Sequence, residues 1–173
     1  EQALALVDQA PGDHPRLRFR LLESRARLAS LTGRFSHAVE SAREALDLTR
    51  RVFDGRDEEV LATRARLRVG LARDLWRSGR TAEAIEVVEA AASLMDRLPD
   101  SSVAHVATEA AAVFITAGRL PDALRMAQRG VDAARTIADR RLEASALTSL
   151  GVAQGMLGDT DRGIASIREA IDL

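Results

Sequence analysis

The stretch LGVAQGMLGDTDRGIASIREAIDL, residues 150–173, holds Gly151, Gly155, Gly158 and Gly163 within thirteen residues, with Asp159 and Asp161 between the last two. Glycine and aspartate at this density can make a phosphate cradle, a calcium loop or a turn between helices. A Walker-type loop requires lysine, and the chain has none. A dinucleotide loop requires G-x-G-x-x-G behind a strand, and Gly151, Gly155 and Gly158 are wrongly spaced within a helical pattern. Counted from Asp159, a calcium loop places Gly163 fifth, Ile164 sixth and Ala170 twelfth, where acidic, glycine and glutamate residues are needed. What remains is a turn.

The same turn recurs. LTGRFSHAVE, RSGRTAEAIE, TAGRLPDALR and LGDTDRGIAS align on Gly33, Gly79, Gly118 and Gly158, spaced by 46, 39 and 40 residues. Seven residues before each pivot stand Ala26, Ala72, Ala111 and Gly151, and five after stand Ala38, Ala84, Ala123 and Gly163. The sixth place after is aliphatic (Val39, Ile85, Leu124, Ile164), and the twelfth is small (Ala45, Ala91, Gly130, Ala170). The thirteenth is again apolar, with Leu46, Ala92, Val131 and Ile171. Self-similarity at this period marks a repeat architecture.

Each unit reads as two antiparallel helices. Leu67, Leu71 and Leu75 before a pivot, and Ile85, Val88 and Ala92 after it, recur at helical spacing. The pivot glycine ends the first helix because it enters the left-handed region without a Cβ penalty. Pro121 suits the first turn of a following helix, where its missing N–H costs nothing. Small residues in matched columns let paired helices approach closely. One pair cannot bury its own apolar face, so the units stack into an all-α solenoid. The predicted boundaries are a second helix of a preceding unit over 1–12 and units over 14–54, 57–98, 101–138 and 140–173, all in one domain. Leu98-Pro99-Asp100-Ser101 is a break with Asp100 or Ser101 as helix cap, and FDGRDEE (53–59) is another.

These columns resemble the tetratricopeptide repeat family over almost the whole chain. Leu150-Gly151, Gly158, Ile167 and Ala170 carry the resemblance in the last unit, and Leu71-Ala72, Leu75, Gly79, Ala84 and Ala91 in the second. The first unit departs from the pattern with Arg25 where the family prefers leucine. The resemblance implies a right-handed α-solenoid of antiparallel helix pairs, about nine helices in all. The units are longer than the family's usual length of about 34 residues. In that they resemble the long-repeat variant of bacterial ATP-dependent and LuxR-type transcription activators. On that resemblance the chain is expected to be the sensor or interaction region of a larger regulator, since it begins and ends mid-repeat.

Composition narrows the chemistry. Cysteine is absent, which excludes disulfides, thiolate nucleophiles and cysteine metal sites. All 25 basic residues are arginine, so a Schiff-base lysine is excluded too. His14, His37 and His105 fall in separate units without a partner at metal-ligand spacing. No catalytic residue, metal site or cofactor is therefore predicted, and the chain is read as a non-enzyme. A net charge of −1, with one tryptophan and four phenylalanines, argues against nucleic acid. No apolar run approaches membrane-spanning length and no leader is visible, so a cytoplasmic location is expected.

Arginine clusters in the first helices of units one and two. By the repeat frame of the family, first helices line a concave groove, and the matching positions include Arg20, Arg27, Arg66, Arg73, Trp76, Arg77, His105 and Thr108. Val69 in the second unit falls in the same frame, and Gly155 in the last falls on the groove side. Guanidinium groups grip carboxylates in a fork geometry, so the expected partner is a protein or peptide, acidic in character. The same arginines are also what solvated helix faces of an all-arginine chain would carry. The alternative to a groove ligand is a homodimer through Ile164, Ile167 and Ile171 of the last helix, which no visible unit covers.

Overall fold

The computed structural model describes residues 14–53 and 57–173, and the helix predicted over 1–12 lies outside them. Among the described residues there are eight α-helices and no strand: α1 (Pro15–Leu31), α2 (Phe35–Val52), α3 (Glu58–Arg77), α4 (Thr81–Ala92), α5 (Asp100–Thr116), α6 (Leu120–Thr136), α7 (Arg140–Met156) and α8 (Thr160–Asp172). A 3₁₀ turn, Met95–Arg97, links α4 to α5. None of these helices is long and apolar enough to cross a membrane.

The glycine pivots sit where the helices reverse. Gly33, Gly79, Gly118 and Gly158 have φ of 74°, 80°, 72° and 94°. In each turn the N–H of the next residue reaches back to a carbonyl five positions earlier: Arg34 to Ala29, Arg80 to Leu75, Arg119 to Phe114, Asp159 to Gln154. The bond satisfies a carbonyl that the helix end would leave orphaned. The link between α6 and α7 repeats this geometry without glycine. Asp139 N–H donates to Ala134 O, and Ala138 takes φ 54°.

Helix starts show two devices. Asp57, Asp139 and Asp159 cap α3, α7 and α8 by accepting a backbone N–H from Glu59, Leu142 and Arg162. Arg80 and Arg119, at the same place before α4 and α6, instead bind the first-turn acids Glu83 and Asp122. Those carboxylates also face the positive end of the helix dipole. The predicted cap of α5 is displaced. Pro99 holds the cap position and Asp100 opens the helix, because proline fixes an extended entry just ahead of it.

Helices adjacent in the chain pack as antiparallel pairs, and α3, α5 and α7 also pack on one another as an inner layer. The small columns lie at the pair contacts. Ala38, Ala84 and Ala123 are fully buried, as are Ala72 and Ala111. A Cβ on Gly151 would stand 2.7 Å from Gly163 O, so α7 and α8 touch backbone to backbone. One continuous apolar core runs from Ala26 to Ala153. A second cluster, Phe19, Leu22, Ala45 and Leu67, holds α1 to α2 and α3, with Phe53 edge-on to Phe19 at 5.5 Å. Arg25, the departure from the family pattern, packs through a 2.7 Å hydrogen bond from Nε to Ser41 Oγ. The structure is an all-α solenoid.

Candidate partner-binding groove

The inner layer leaves a gap at its N-terminal end. Where α3 lies broadly on α5, α1 makes little backbone approach to α3. An open cleft of about 350 Å³ fills the space, lined by Glu23, Arg27, Arg66, Gly70, Arg73, Asp74 and His105 with apolar neighbours. Its floor is bare at Gly70, where an added Cβ would touch nothing within 4 Å.

Four of the predicted groove residues therefore converge: Arg27 from α1, Arg66 and Arg73 from α3, and His105 from α5. Their roles differ. Arg73 donates through Nη1 to Glu109 at 2.9 Å, and its Nε is buried without an acceptor among the described residues. Arg66 makes one 3.2 Å bond to Thr63 Oγ1 and one 3.4 Å bond to Ser102 Oγ. Arg27 has no hydrogen bond or ion pair among the described residues. His105 is held below the ordinary histidine range by burial and by Arg66, Arg73 and Arg141, against which Glu109 acts alone.

The rest of the predicted set is placed elsewhere. Arg20 lines a separate cleft of about 380 Å³ with Arg16, Phe19 and Phe53. Arg77 stacks over the Phe35 ring at 5.4 Å, and Trp76 beside it is 38% exposed without lining either cleft. Thr108 is not a groove residue. It is buried, donates to Ala104 O at 2.7 Å, and faces the backbone of Gly130 on α6. Val69 is likewise buried in the core. Both point inward because α5 and α3 are covered on two sides, leaving a narrower open face than the repeat frame assumes.

Two groups went unread in the sequence. Asp74 is buried and accepts a 2.6 Å hydrogen bond from Ser30 Oγ, tying α3 to α1 beside the cleft. Burial raises its carboxyl above the usual aspartate range, against the Ser30 bond and the charges of Arg73 and Arg77. A charged residue between Ala72 and Leu75 on a buried helix face was the available signal. Glu109, one turn beyond His105, was visible only as a helix neighbour. Among the described residues no three His, Cys, Asp or Glu side chains gather to hold a metal ion.

Residues 63–136, from α3 to the end of α6, match the tetratricopeptide repeat model. The fold is a tetratricopeptide-repeat-like solenoid. It is similar to crystal structures at low identity, a likeness of fold. BtubC (BKLC) from P. vanneervenii superposes at TM-score 0.81 with 18% identity, over 99% of this chain and 68% of that one. MamA from Desulfovibrio magneticus RS-1 gives 0.61 at 20% identity, over 94% and 77%. Aspartyl phosphate phosphatase F from Bacillus subtilis gives 0.69 at 13%, over 91% and 40%. No curated protein sequence matches the chain.

The tetratricopeptide-like frame also places the predicted self-association residues. On α8, Ile164 is 44% exposed and Ile171 76% exposed. Ile167 is not part of that exposed face. It is half-buried, and a Cβ on Gly151 would lie 2.6 Å from its Cγ1. Gly155 does not stand idle on the groove side. Its backbone N is 3.1 Å from where a Cβ on Gly163 would sit, so it belongs to the α7–α8 contact.

Proposed function

We propose that this solenoid is a protein- or peptide-binding scaffold whose inner face, at the cleft between α1, α3 and α5, receives an acidic segment. The observation that carries the reading is convergence. Polar residues from three helices, spread between positions 23 and 105, meet at one open cleft whose guanidiniums outnumber its carboxylates. Arginine on pre-positioned helices binds carboxylates in fork geometry with little ordering cost. Recognition is by shape and charge, with no bond made or broken. We place the region within a larger bacterial regulator, a transcriptional one, by its resemblance to long-repeat activators; an ATPase or helix-turn-helix domain in the same polypeptide would support that.

Arg73 and Arg77 are poor positions for the test, because they hold Glu109 and Phe35. Arg27→Glu with Arg66→Glu is cleaner. The double variant is expected to lose at least tenfold in affinity for an acidic peptide while keeping its helical circular dichroism. Unchanged affinity removes the groove reading.

A second reading, self-association through α8, rests on the exposure of Ile164 and Ile171, with Met156 and Leu157 at the end of α7 also 56% and 46% exposed. Exposed apolar patches of this kind mark contact surfaces. Light scattering at high concentration tests it, and a strict monomer sinks it.

A further inference from the structure

The cleft has features that a general acidic-peptide groove does not use. Arg27 lacks a partner among the described residues, and Arg73 carries a buried, unmatched Nε–H. A buried donor left without an acceptor is costly, so a ligand oxygen that satisfies it after a small turn of the guanidinium is favoured. Gly70 keeps the floor open down to the backbone, although glycine inside a helix weakens it.

Charge around His105 is lopsided. Arg66 and Arg73 face it from α3 and Arg141 from α7, while Glu109 on its own helix is the opposing carboxylate. Glu23 and Arg27 from α1, and Asp74 from α3, line the same cleft. In this setting the imidazolium is disfavoured until another negative charge arrives.

We propose that a single carboxylate of the bound peptide seats over Gly70 between Arg27, Arg66 and Arg73, and that His105 takes up a proton as it seats. This rests on the groove reading and names the group the groove recognises. With Arg73 paired to Glu109, Arg27 and Arg66 stand against Glu23 and Asp74, so a protonated His105 supplies the one charge that balances the incoming carboxylate. Because the bound state holds the proton more tightly than the free state, affinity rises as pH falls through the histidine range. A carboxylate ligand stays ionised across that range, so its own titration does not mask the effect.

The test is calorimetry on the full chain with two peptides, N-acetyl-Ala-Glu-Glu-Ala-amide and N-acetyl-tetraalanine with a free C-terminus. The first offers side-chain carboxylates and the second a chain terminus, so whichever binds identifies the source. Titrations in buffers of different ionisation heat are expected to show net proton uptake. Affinity should climb between pH 7.5 and pH 5.5, by no more than about tenfold per pH unit for one proton. In wild-type protein the His105 proton resonance is expected to titrate at higher pH when the site is saturated. In His105→Gln the pH slope should collapse. Binding without proton uptake overturns this inference and leaves the groove reading in place. A slope that survives His105→Gln and vanishes in Asp74→Asn puts the proton on Asp74 and also overturns it. Failure of both peptides to bind overturns this inference and the groove reading together.

Discussion

Ser30, near the end of α1, donates a 2.6 Å hydrogen bond to Oδ1 of Asp74 on α3, and both side chains are buried. It is a polar link across a junction where the α1 and α3 backbones make little close approach. Removing the donor leaves a carboxylate buried without it, and Ser30→Ala is expected to cost about 1–3 kcal/mol in urea unfolding.

Asp74→Asn separates the charge from the hydrogen bond. Burial raises the carboxyl titration in the folded state above that of an unfolded aspartate. The group therefore costs nothing below the unfolded value of about 3.9, and stability is lost as pH rises through the folded one. Asparagine still accepts from Ser30 but carries no charge. Asp74→Asn is expected to melt at or above the wild-type temperature at pH 7, with the difference shrinking toward about pH 4. A variant less stable at pH 7 than at pH 4, relative to wild type, would show that Arg73 and Arg77 outweigh burial.

Ala138 occupies the left-handed region at φ 54°, in a turn that otherwise copies the four glycine pivots. The left-handed conformation costs a residue with a Cβ about 1–2 kcal/mol, of which glycine's looser unfolded chain returns part. Ala138→Gly is expected to raise stability by about 0.5–1 kcal/mol. A fall in melting temperature would mean the Cβ of Ala138 contributes packing that outweighs its backbone strain.

The contrast between Ala138 and the pivots explains what could be read in the sequence. A glycine leaves a trace where the backbone must turn left-handed, so Gly33, Gly79, Gly118 and Gly158 fixed the helix ends. The α6–α7 link has the same geometry and no trace. The site was half legible for a related reason. The repeat frame of the resembled family put Arg27, Arg66, Arg73 and His105 on the groove side of their helices, and they do line one cleft. That frame says nothing about how wide the groove side stays open in this chain, which is why Thr108 and Val69 went to the core. The Ser30–Asp74 bond joins residues 44 positions apart. No local pattern encodes it.

Ala84 tests the small columns directly. It is fully buried where α4 meets α3, in the column shared with Ala38, Ala123 and Gly163. Ala84→Leu adds three carbon atoms where the helices already touch, and overpacking of this kind costs about 1–3 kcal/mol. Loss of thermal stability with helicity retained at low temperature is the expected signature.

Two glycines of the stretch 150–173 should respond with opposite sign. A Cβ on Gly163 would lie 2.8 Å from Gly151 O and 3.1 Å from Gly155 N, both backbone atoms that cannot turn aside. Gly163→Ala must push α8 off α7, and about 1–3 kcal/mol of destabilisation is expected. Gly155 stands one residue from the end of α7, and a Cβ there meets nothing within 4 Å. Its backbone is what α8 approaches, and alanine leaves that backbone in place. Gly155→Ala is then governed by helix propensity, with a gain of up to about 1 kcal/mol that fraying at the helix end reduces. Parallel urea titrations of the two variants measure both. If Gly163→Ala is neutral, the helices are not in backbone contact, and the small columns lose their packing explanation.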